Sequence, residues 1–324
     1  TPSLEVASVI CDRLPHATFL PALRRGNVRG ALDMGLAPGI LPGRTTMDQP
    51  SESLTDKWKN IPKTTGLDTT GMLQAAASGR LDTLILLGAD PLRDFPDRNL
   101  AAEAFQYATT IIAIDNFITD SVAQADVILP STAYGEQGGT TTNIEGRISR
   151  LTPKVTPPGT ARDDWMIAAE LAWRLGGDIG LGSREEIWRE IEQVAPSHAG
   201  VTVERICGPE AHEGILVEGT SIEPTLPPPQ ESPVIDGYGL RLVSGRKLWD
   251  AGTNVSHSPS LKHLAEESTL RVHPSDLQRL GVSSGASVRV ISTRTTEILV
   301  AVEDESILRG TAVLPFNQPG GGAN

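Results

Sequence analysis

Short apolar runs alternate with helical patterns between residues 68 and 130. Each run is followed by a glycine, an aspartate or a proline that stops it. Apolar runs of this kind between helices are typical of buried parallel strands. We therefore expect a βαβ arrangement within a doubly wound α/β sheet. The strands are predicted at 81–87, 110–114 and 125–129, and the helical segments at 69–78, 96–107 and 119–124.

Two further helices are predicted after a long extended stretch over 131–159. The first covers 160–175, where apolar side chains recur at helical spacing and a Gly-Gly pair follows. The second covers 183–194 and begins with a capping box formed by Ser183 and Glu186. The predicted apolar stripe of the first helix consists of Trp165, Ala168, Ala169, Ala172 and Leu175.

The pattern changes after a segment rich in proline. Residues 219–233 contain five prolines and are typical of a linker between domains. Short strand patterns then dominate, with one short helix at 274–280. We expect an α/β domain over 1–218, the linker over 219–233 and a small β-barrel domain over 234–324. Its strands are predicted at 240–243, 269–272, 286–293, 296–302 and 311–315.

Charge and cysteine content narrow the function classes. The 324 residues include 28 Lys and Arg against 40 Asp and Glu, a net charge of −12. An acidic balance of this size argues against nucleic acid as a partner, and no apolar run is long enough to span a membrane. Two cysteines cannot by themselves supply the four ligands usual for an iron–sulfur cluster or a structural zinc. The chain begins at Thr1 and ends in a glycine-rich loop, so we expect a piece of a longer protein.

Several short motifs carry little weight. Residues 281–285 match the G-x-S-x-G pattern of serine hydrolases, but the expected order there is helix, turn, strand, the reverse of a nucleophile elbow. The six histidines form no short metal-ligand pair, and no Walker loop or dinucleotide fingerprint occurs.

Polar residues follow the predicted strands of the α/β layer. Gly88-Ala89-Asp90-Pro91 comes after the first strand, Asp115 ends the second and Pro130 to Thr132 follow the third. Ligands of open parallel sheets bind at this edge, although the same residues also make ordinary βα turns. The polar stretch 136–147 is either a nucleotide-type binding loop or a docking segment, because its many polar groups need partners.

Five ordered stretches together resemble the molybdopterin oxidoreductase family. They are Asn27-Val28 with Gly30-Ala31 and Asp33-Met34-Gly35; Gly88 to Pro91; Ala125 to Pro130; Glu136, Gly139-Thr140, Asn143 and Glu145 to Arg147; and Pro157 to Gly159 with Ala161 and Asp164-Trp165. Within that family the chain is most similar to the G-type subunits of bacterial NADH–quinone oxidoreductase, respiratory complex I. The similarity lies in residues 23–36, Leu41 to Arg44 and Pro315 to Gly320. The alternative is the large subunit of formate dehydrogenases, in which Cys stands where this chain has Leu32.

The resemblance implies a doubly wound molybdopterin-oxidoreductase-like domain followed by a double-psi β-barrel. It implies that the segment is a scaffold without chemistry of its own, supporting electron transfer from NADH to quinone. The 4Fe-4S and 2Fe-2S clusters of the full-length subunit would lie upstream, so no cofactor or metal is expected in this segment. The implied partners are other peripheral-arm subunits, at the cytoplasmic face of the bacterial plasma membrane.

The same resemblance marks a pterin site, either vestigial or filled. Its candidate residues are Gly88, Asp90, Asp115, Thr140 and Asn143. Two departures from active members favour loss of the cofactor: Ile114 replaces a glutamine before Asp115, and Ser244-Gly245-Arg246 is not followed by the usual pterin-contacting stretch. In the alternative, these five residues hold the phosphates and guanine of a pterin dinucleotide.

Overall fold

A computed structural model describes residues 25–217, 239–292, 295–321 and 323, together with residue 237 and seven positions between 6 and 16. The predicted linker 219–233 lies outside the described residues. Within the described part of the chain, no helix has the length and apolar character needed to cross a bilayer.

Thirteen strands and a set of mostly short helices make up the described residues. The strands are β1 Ile40–Leu41, β2 Thr45–Thr46, β3 Thr83–Leu87, β4 Thr110–Asp115, β5 Val127–Pro130, β6 Gly139–Thr142, β7 Arg147–Leu151, β8 Ile215–Leu216, β9 Arg241–Arg246, β10 Thr269–Val272, β11 Ser287–Ile291, β12 Thr296–Glu303 and β13 Thr311–Phe316. The α-helices are Val28–Asp33, Glu52–Lys57, Thr69–Ala77, Pro91–Asp94, Arg98–Tyr107, Asp164–Arg174, Arg184–Val194, Val203–Cys207, Thr253–Ser256 and Pro274–Leu280. Short 3-10 helices occupy Pro42–Arg44, Val122–Gln124, Pro196–His198, Pro209–Glu213 and Lys262–Leu264.

The chain folds into two compact units, each made from two separate stretches. The first unit combines Thr1–Met72 with Leu129–Gln230. The second unit combines Leu73–Ile128 with Glu231–Asn324.

The predicted βαβ pattern forms a three-stranded sheet in the order β3-β4-β5, of which the residues up to Ile128 belong to the second unit. β3 and β4 pair in parallel, as predicted. The prediction of a buried strand is right for one face of β3 only, because Leu84 and Leu86 are buried whereas Ile85 and Leu87 are exposed. Helices therefore cover only one face of β3. That face packs on Ala101, Ala104 and Phe105 of the helix Arg98–Tyr107.

The C-terminal part of the second unit is a five-stranded mixed sheet in the order β11-β12-β10-β13-β9. β13 pairs in parallel with β9 and antiparallel with β10. The strand and helix predictions here are confirmed, with Thr269–Val272 and Pro274–Leu280 matching to the residue. Gly281 ends that helix at φ 70, and Ala286 N–H donates to Ser283 O in the turn that follows. The hydrolase-like motif is thus a helix-to-strand turn.

In the first unit, the stretch predicted as extended contains a hairpin. β6 pairs antiparallel with β7, and β8 adds on the other side of β7. Ile148 of β7 is buried against Trp188 of the helix Arg184–Val194. Ser183 caps that helix, but the Glu186 carboxylate accepts from Gly182 N–H instead of completing the capping box.

The predicted apolar stripe of the helix Asp164–Arg174 is wrong in part. Trp165, Ala169 and Ala172 are half-buried, as a stripe facing the unit requires. Ala168 is exposed, however, and Leu175 lies beyond the helix with 87 % of its surface exposed. The side chain that is buried is Ile167. The packed face of the helix therefore keeps three of the five predicted positions and adds Ile167, because neighbouring elements as well as periodicity decide helix packing.

Candidate functional site

Asp90 and Ser121 tie together the ends of two strand–helix connections in the second unit. Asp90 follows β3 and is buried, and its Oδ1 accepts hydrogen bonds from the Ser121 hydroxyl at 2.5 Å and the Ser121 N–H at 3.2 Å. The Ser121 hydroxyl oxygen in turn accepts from Leu92 N–H at 3.1 Å. Burial raises the pKa of the Asp90 carboxyl, and the hydrogen bonds from Ser121 offset this only in part. The Oδ1 oxygen of Asp90 is therefore already engaged within the protein.

Gly88 and Asp115 also serve the turns in which they lie. Gly88 adopts φ 56, a conformation that glycine takes without strain, and its N–H donates to Ile114 O. The Asp115 Oδ1 accepts from the N–H groups of Asn116 at 2.7 Å and Phe117 at 3.1 Å. This is an Asx-type turn, in which the carboxylate stabilises the backbone that follows.

Asn143 organises the turn of the β6–β7 hairpin in the first unit. Its Oδ1 accepts from the N–H groups of Glu145 at 3.0 Å and Arg147 at 2.9 Å. Thr140 lies within β6, opposite Arg150 of β7. Of the five predicted site residues, Gly88, Asp90 and Asp115 therefore belong to the second unit, and Thr140 and Asn143 to the first.

Arg246 is the centre of a charged cluster that the sequence did not single out for this role. Its guanidinium donates to Asp94 at 2.8 Å and to Asp250 at 2.7 Å, and it lies 4.7 Å from the centre of the Phe316 ring. Burial lowers the pKa of Arg246, but the two carboxylates outweigh that effect and hold the pKa above its ordinary value. Asn317 also donates to Asp94. Asp94 and Arg246 are more than a hundred residues apart in the sequence, so this cluster is visible only in the folded chain.

A cavity of about 380 Å³ lies in the second unit beside this cluster. Gln318 lines it with only 6 % of its surface exposed, and its Oε1 has no hydrogen-bond partner among the described residues. The Gln318 amide nitrogen makes two long bonds, to Trp249 O at 3.4 Å and Phe316 O at 3.5 Å. A buried acceptor without a donor points to a ligand or a water at this position. None of the five predicted site residues lines the cavity.

Histidines and acidic residues form no metal centre in the described part of the chain, since no three His, Cys, Asp or Glu residues lie close enough to hold an ion. His198 is the buried histidine of the first unit, with 1 % of its surface exposed. It lies edge-on to the Trp188 ring at 5.8 Å, and Ser197 Oγ is 3.0 Å from its Nδ1.

Two family profiles match consecutive parts of the chain. The profile described as "Molybdopterin oxidoreductase" matches residues 18–174. The profile described as "Molydopterin dinucleotide binding domain" matches residues 240–324. The second match coincides with the five-stranded mixed sheet, and together the two profiles cover both of the domain types that the sequence pattern predicts.

Curated relatives carry several different names. The chain is 30 % identical over 275 residues to the NADPH-Fe(3+) oxidoreductase subunit alpha of Geobacter sulfurreducens, covering 84 % of this chain and 31 % of the relative. It is 30 % identical over 329 residues to the F420-dependent formate dehydrogenase 1 subunit alpha of Methanococcus maripaludis, covering 94 % and 48 %. It is 30 % identical over 290 residues to G-type subunit 2 of the NADH-quinone oxidoreductase of Rhizobium meliloti, covering 86 % and 33 %. The chain thus spans a third to a half of the length of these relatives.

A solved structure shares the fold. The acetylene hydratase from Pelobacter acetylenicus superposes with a TM-score of 0.57 at 19 % identity, covering 76 % of this chain and 39 % of that one. The likeness supports the assignment of the fold.

Proposed function

Because the chain belongs to the molybdopterin oxidoreductase family, with a molybdopterin-binding domain at its C-terminal end, we propose that it is the cofactor-free scaffold portion of a G-type subunit of NADH–quinone oxidoreductase. In this proposal it does no chemistry itself. It supports electron transfer from NADH to quinone through iron–sulfur clusters, 4Fe-4S and 2Fe-2S, held by other parts of the assembly. Its partners are the other peripheral-arm subunits, at the cytoplasmic face of a bacterial plasma membrane.

The observation that carries this proposal is the engagement of the candidate site residues inside the protein. The Oδ1 oxygens of Asp90, Asp115 and Asn143 all accept hydrogen bonds from neighbouring backbone or hydroxyl groups. These oxygens stabilise the turns in which they lie, so each of the three residues has a structural role that does not require a cofactor. The Rhizobium meliloti relative, at 30 % identity across 86 % of this chain, supports the same assignment.

Elemental analysis tests the proposal directly. The chain is expressed in a host that makes pterin dinucleotide cofactors, purified, and measured for molybdenum and tungsten by mass spectrometry. We expect neither metal above the level of a buffer control. Stoichiometric molybdenum or tungsten would overturn the scaffold assignment.

A capture experiment tests the partners. The tagged chain is expressed in its own host and purified from detergent-solubilised membranes. We expect the peripheral-arm subunits of the NADH–quinone oxidoreductase to accompany it. Recovery with formate dehydrogenase subunits instead would favour the second candidate.

The second candidate is an active molybdopterin oxidoreductase of the formate dehydrogenase kind. The cavity beside Gln318 favours it, because an orphaned, buried amide oxygen is an acceptor for a donor group of a ligand. In this candidate the cavity would hold part of a pterin dinucleotide, with Gln318 as acceptor and Arg98 as a cationic lining residue. When bound, such a group carries a metal atom that exchanges electrons with the substrate.

The variant Gln318→Leu separates the two candidates. If the cavity is a vestige, the variant loses an unpaired oxygen and two long hydrogen bonds of the amide nitrogen, and the free energy of unfolding should change by less than about 1 kcal/mol. If the cavity holds the cofactor, the same change lowers the amount of pterin released from the purified chain on acid oxidation. The variant Gln278→Leu, at an exposed position of the same unit, serves as the matched control and should alter neither quantity.

A further inference from the structure

A second cavity, of about 540 Å³, lies in the first unit and belongs to neither proposed function. Arg44 and Arg205 line it, and its described lining residues include no aspartate or glutamate. The chain as a whole carries a net charge of −12, so a cavity with two cations and no acid stands out from the rest of the protein. Its volume is that of a small-molecule site.

Arg44 is held in place by a buried counter-charge behind the cavity. Its Nε lies 2.7 Å from Oδ1 of Asp33, whose side chain is fully buried. The geometry is that of an ion pair and not of an aligned hydrogen bond, because neither atom has a hydrogen-bond partner among the described residues. The Nη2 of Arg44 has no such partner either. The Nε and Nη2 atoms are themselves buried, so Asp33 anchors the guanidinium, and 21 % of the Arg44 side chain stays exposed.

The backbone at this wall is strained. Arg44 has φ 56, a left-handed conformation that an arginine rarely adopts. Gly43 before it has φ 79, and a Cβ there would lie 2.6 Å from Pro196. The backbone at Gly43 thus approaches Ala195 and Pro196 too closely for any side chain at this position. Backbone strain of this kind is concentrated at ligand clamps and active sites.

Arg205 supplies the second cation from the helix Val203–Cys207. Its Nη1 donates to Gly200 O at 2.7 Å, and its Nε is 3.4 Å from Oε1 of Glu210. Glu210 is exposed and does not line the cavity, so its pairing with Arg205 is a surface ion pair that solvent weakens. The side chain of Arg205 is 44 % exposed and can adjust to a ligand.

The remaining walls combine apolar surface with neutral polar groups. The apolar part consists of Pro196, Ala199, Val201, Leu216 and Val217, and the polar part of Thr45, Thr46, Gln49 and Ser197. A ligand that satisfies both needs an oxyanion for the guanidinium groups and an organic body for the apolar wall. A phosphate monoester carries about −1.5 to −2 charges at pH 7, which suits two arginines whose own carboxylate partners, Asp33 and Glu210, do not line the cavity.

We propose that this cavity binds a small organic phosphate, whose phosphoryl oxygens are held by Arg44 and Arg205 and whose organic part lies on the apolar wall. The arginine fork suits phosphoryl oxygens because it presents paired donors in one plane. Gln49 at the rim adds a neutral donor.

Isothermal titration of the full chain with phenyl phosphate tests the proposal. We expect saturable binding to one site per chain. The variant Arg205→Gln should raise the Kd about tenfold or more, because a charge-assisted contact is lost. The matched control Arg289→Gln, an exposed arginine of β11 in the other unit, removes the same charge and should change the Kd less than about twofold. No saturable binding, or equal losses in the two variants, would overturn the proposal.

Two further probes define what is recognised. Benzoate carries the same ring with a single negative charge and should bind at least about tenfold more weakly. Inorganic phosphate lacks the ring and should also bind more weakly, since it leaves the apolar wall uncovered. Equal affinity for benzoate would refute the phosphate assignment, and equal affinity for inorganic phosphate would refute the organic part.

The variant Arg44→Lys tests the role of Arg44. It keeps a cation beside buried Asp33 but loses the planar guanidinium. We expect native circular dichroism and weakened phenyl phosphate binding. A folded Arg44→Lys chain that binds as tightly as the parent would contradict the role given to Arg44. If Arg44→Lys does not fold, the exposed Arg205→Gln comparison decides the proposal by itself.

Discussion

The side-chain oxygen of Asn27 accepts a hydrogen bond from the backbone N–H of Thr142, 115 residues further along the chain, at 2.9 Å. Asn27 precedes the helix Val28–Asp33, and Thr142 is the last residue of β6. The bond therefore joins the start of the helix Val28–Asp33 to the β6–β7 hairpin. Asn27 achieves this in a left-handed conformation, with φ 59.

The substitution Asn27→Ala should lower the free energy of unfolding by about 1–3 kcal/mol, because the Thr142 N–H loses its acceptor. Asn27→Gly separates the loss of the hydrogen bond from the cost of the positive φ, because glycine adopts this φ without strain but also lacks the acceptor. Asn27→Asp keeps the acceptor and should be the mildest of the three. Chemical denaturation measures the series, and a neutral Asn27→Gly would contradict the importance of the bond.

Replacing Ser121 should destabilise the second unit. Ser121→Ala removes a donor to buried Asp90 and the acceptor for Leu92 N–H, which we expect to cost about 1–3 kcal/mol. Ser306→Ala is the matched control, because its hydroxyl also donates to an aspartate, Asp304, but on the exposed surface. Thermal unfolding of both variants provides the comparison, with the control expected close to the parent.

Stability should depend on pH through Asp90. The folded pKa of Asp90 lies above its ordinary value of 3.8, so the folded chain holds this proton at a pH where the unfolded chain has lost it. The stabilisation from Asp90 is therefore complete below 3.8 and is lost as the pH rises through the folded pKa. In Asp90→Asn this contribution to the pH dependence of unfolding should disappear. An unchanged pH profile in that variant would show that Asp90 does not titrate differently on folding.

The contribution of His198 to the pH dependence of stability should have the opposite sign to that of Asp90. Burial lowers its pKa below the ordinary 6.5, the charge of Asp33 opposes this, and the charges of Arg44 and Arg29 reinforce it. As the pH falls below 6.5, the unfolded chain takes up a proton that the folded chain refuses, so stability declines. We expect His198→Gln to have a flatter unfolding profile between neutral and mildly acidic pH. A parent profile without this decline would contradict the neutral state of His198.

Arg246 and Lys247 form a natural comparison, because they are adjacent cations with acidic partners. Arg246→Gln leaves Asp94 and Asp250 without their shared cation in a half-buried setting and should destabilise the chain by about 1–3 kcal/mol. Lys247→Gln breaks only an exposed pair with Glu266 and should cost less than about 1 kcal/mol. Denaturant titration of the two variants checks the order, and equal effects would contradict it.

Local patterns in the sequence predicted several elements accurately. Pro274 begins a helix that Gly281 ends, and both are signals carried by single residues. The β6–β7 hairpin was missed because Gly138-Gly139 and a polar run obscure the alternation of strand residues, and only Thr142 and Ile148 are buried among its paired positions. The exposed face of β3 was also missed, since an apolar run does not reveal which side will be covered.

The site was harder to predict than the fold because its contacts are long-range. The polar strand ends at Asp90 and Asp115 follow from the α/β pattern. The role of Asp90, however, is decided by Ser121, 31 residues later. Arg246 meets Asp94 across 152 residues. No spacing rule connects such positions, and only the folded chain shows that their polar groups satisfy each other.

The discontinuous make-up of the two units has a consequence for how the chain acquires its structure. Residues 73–128 are synthesised well before the strands β9 to β13 with which they form one unit. The first unit likewise needs residues on both sides of that insertion. Neither unit is complete until its later stretch has left the ribosome. Each unit can therefore finish folding only after residues far along the chain have been synthesised. A single cut within 219–233 would therefore divide the second unit into two parts rather than release an intact one.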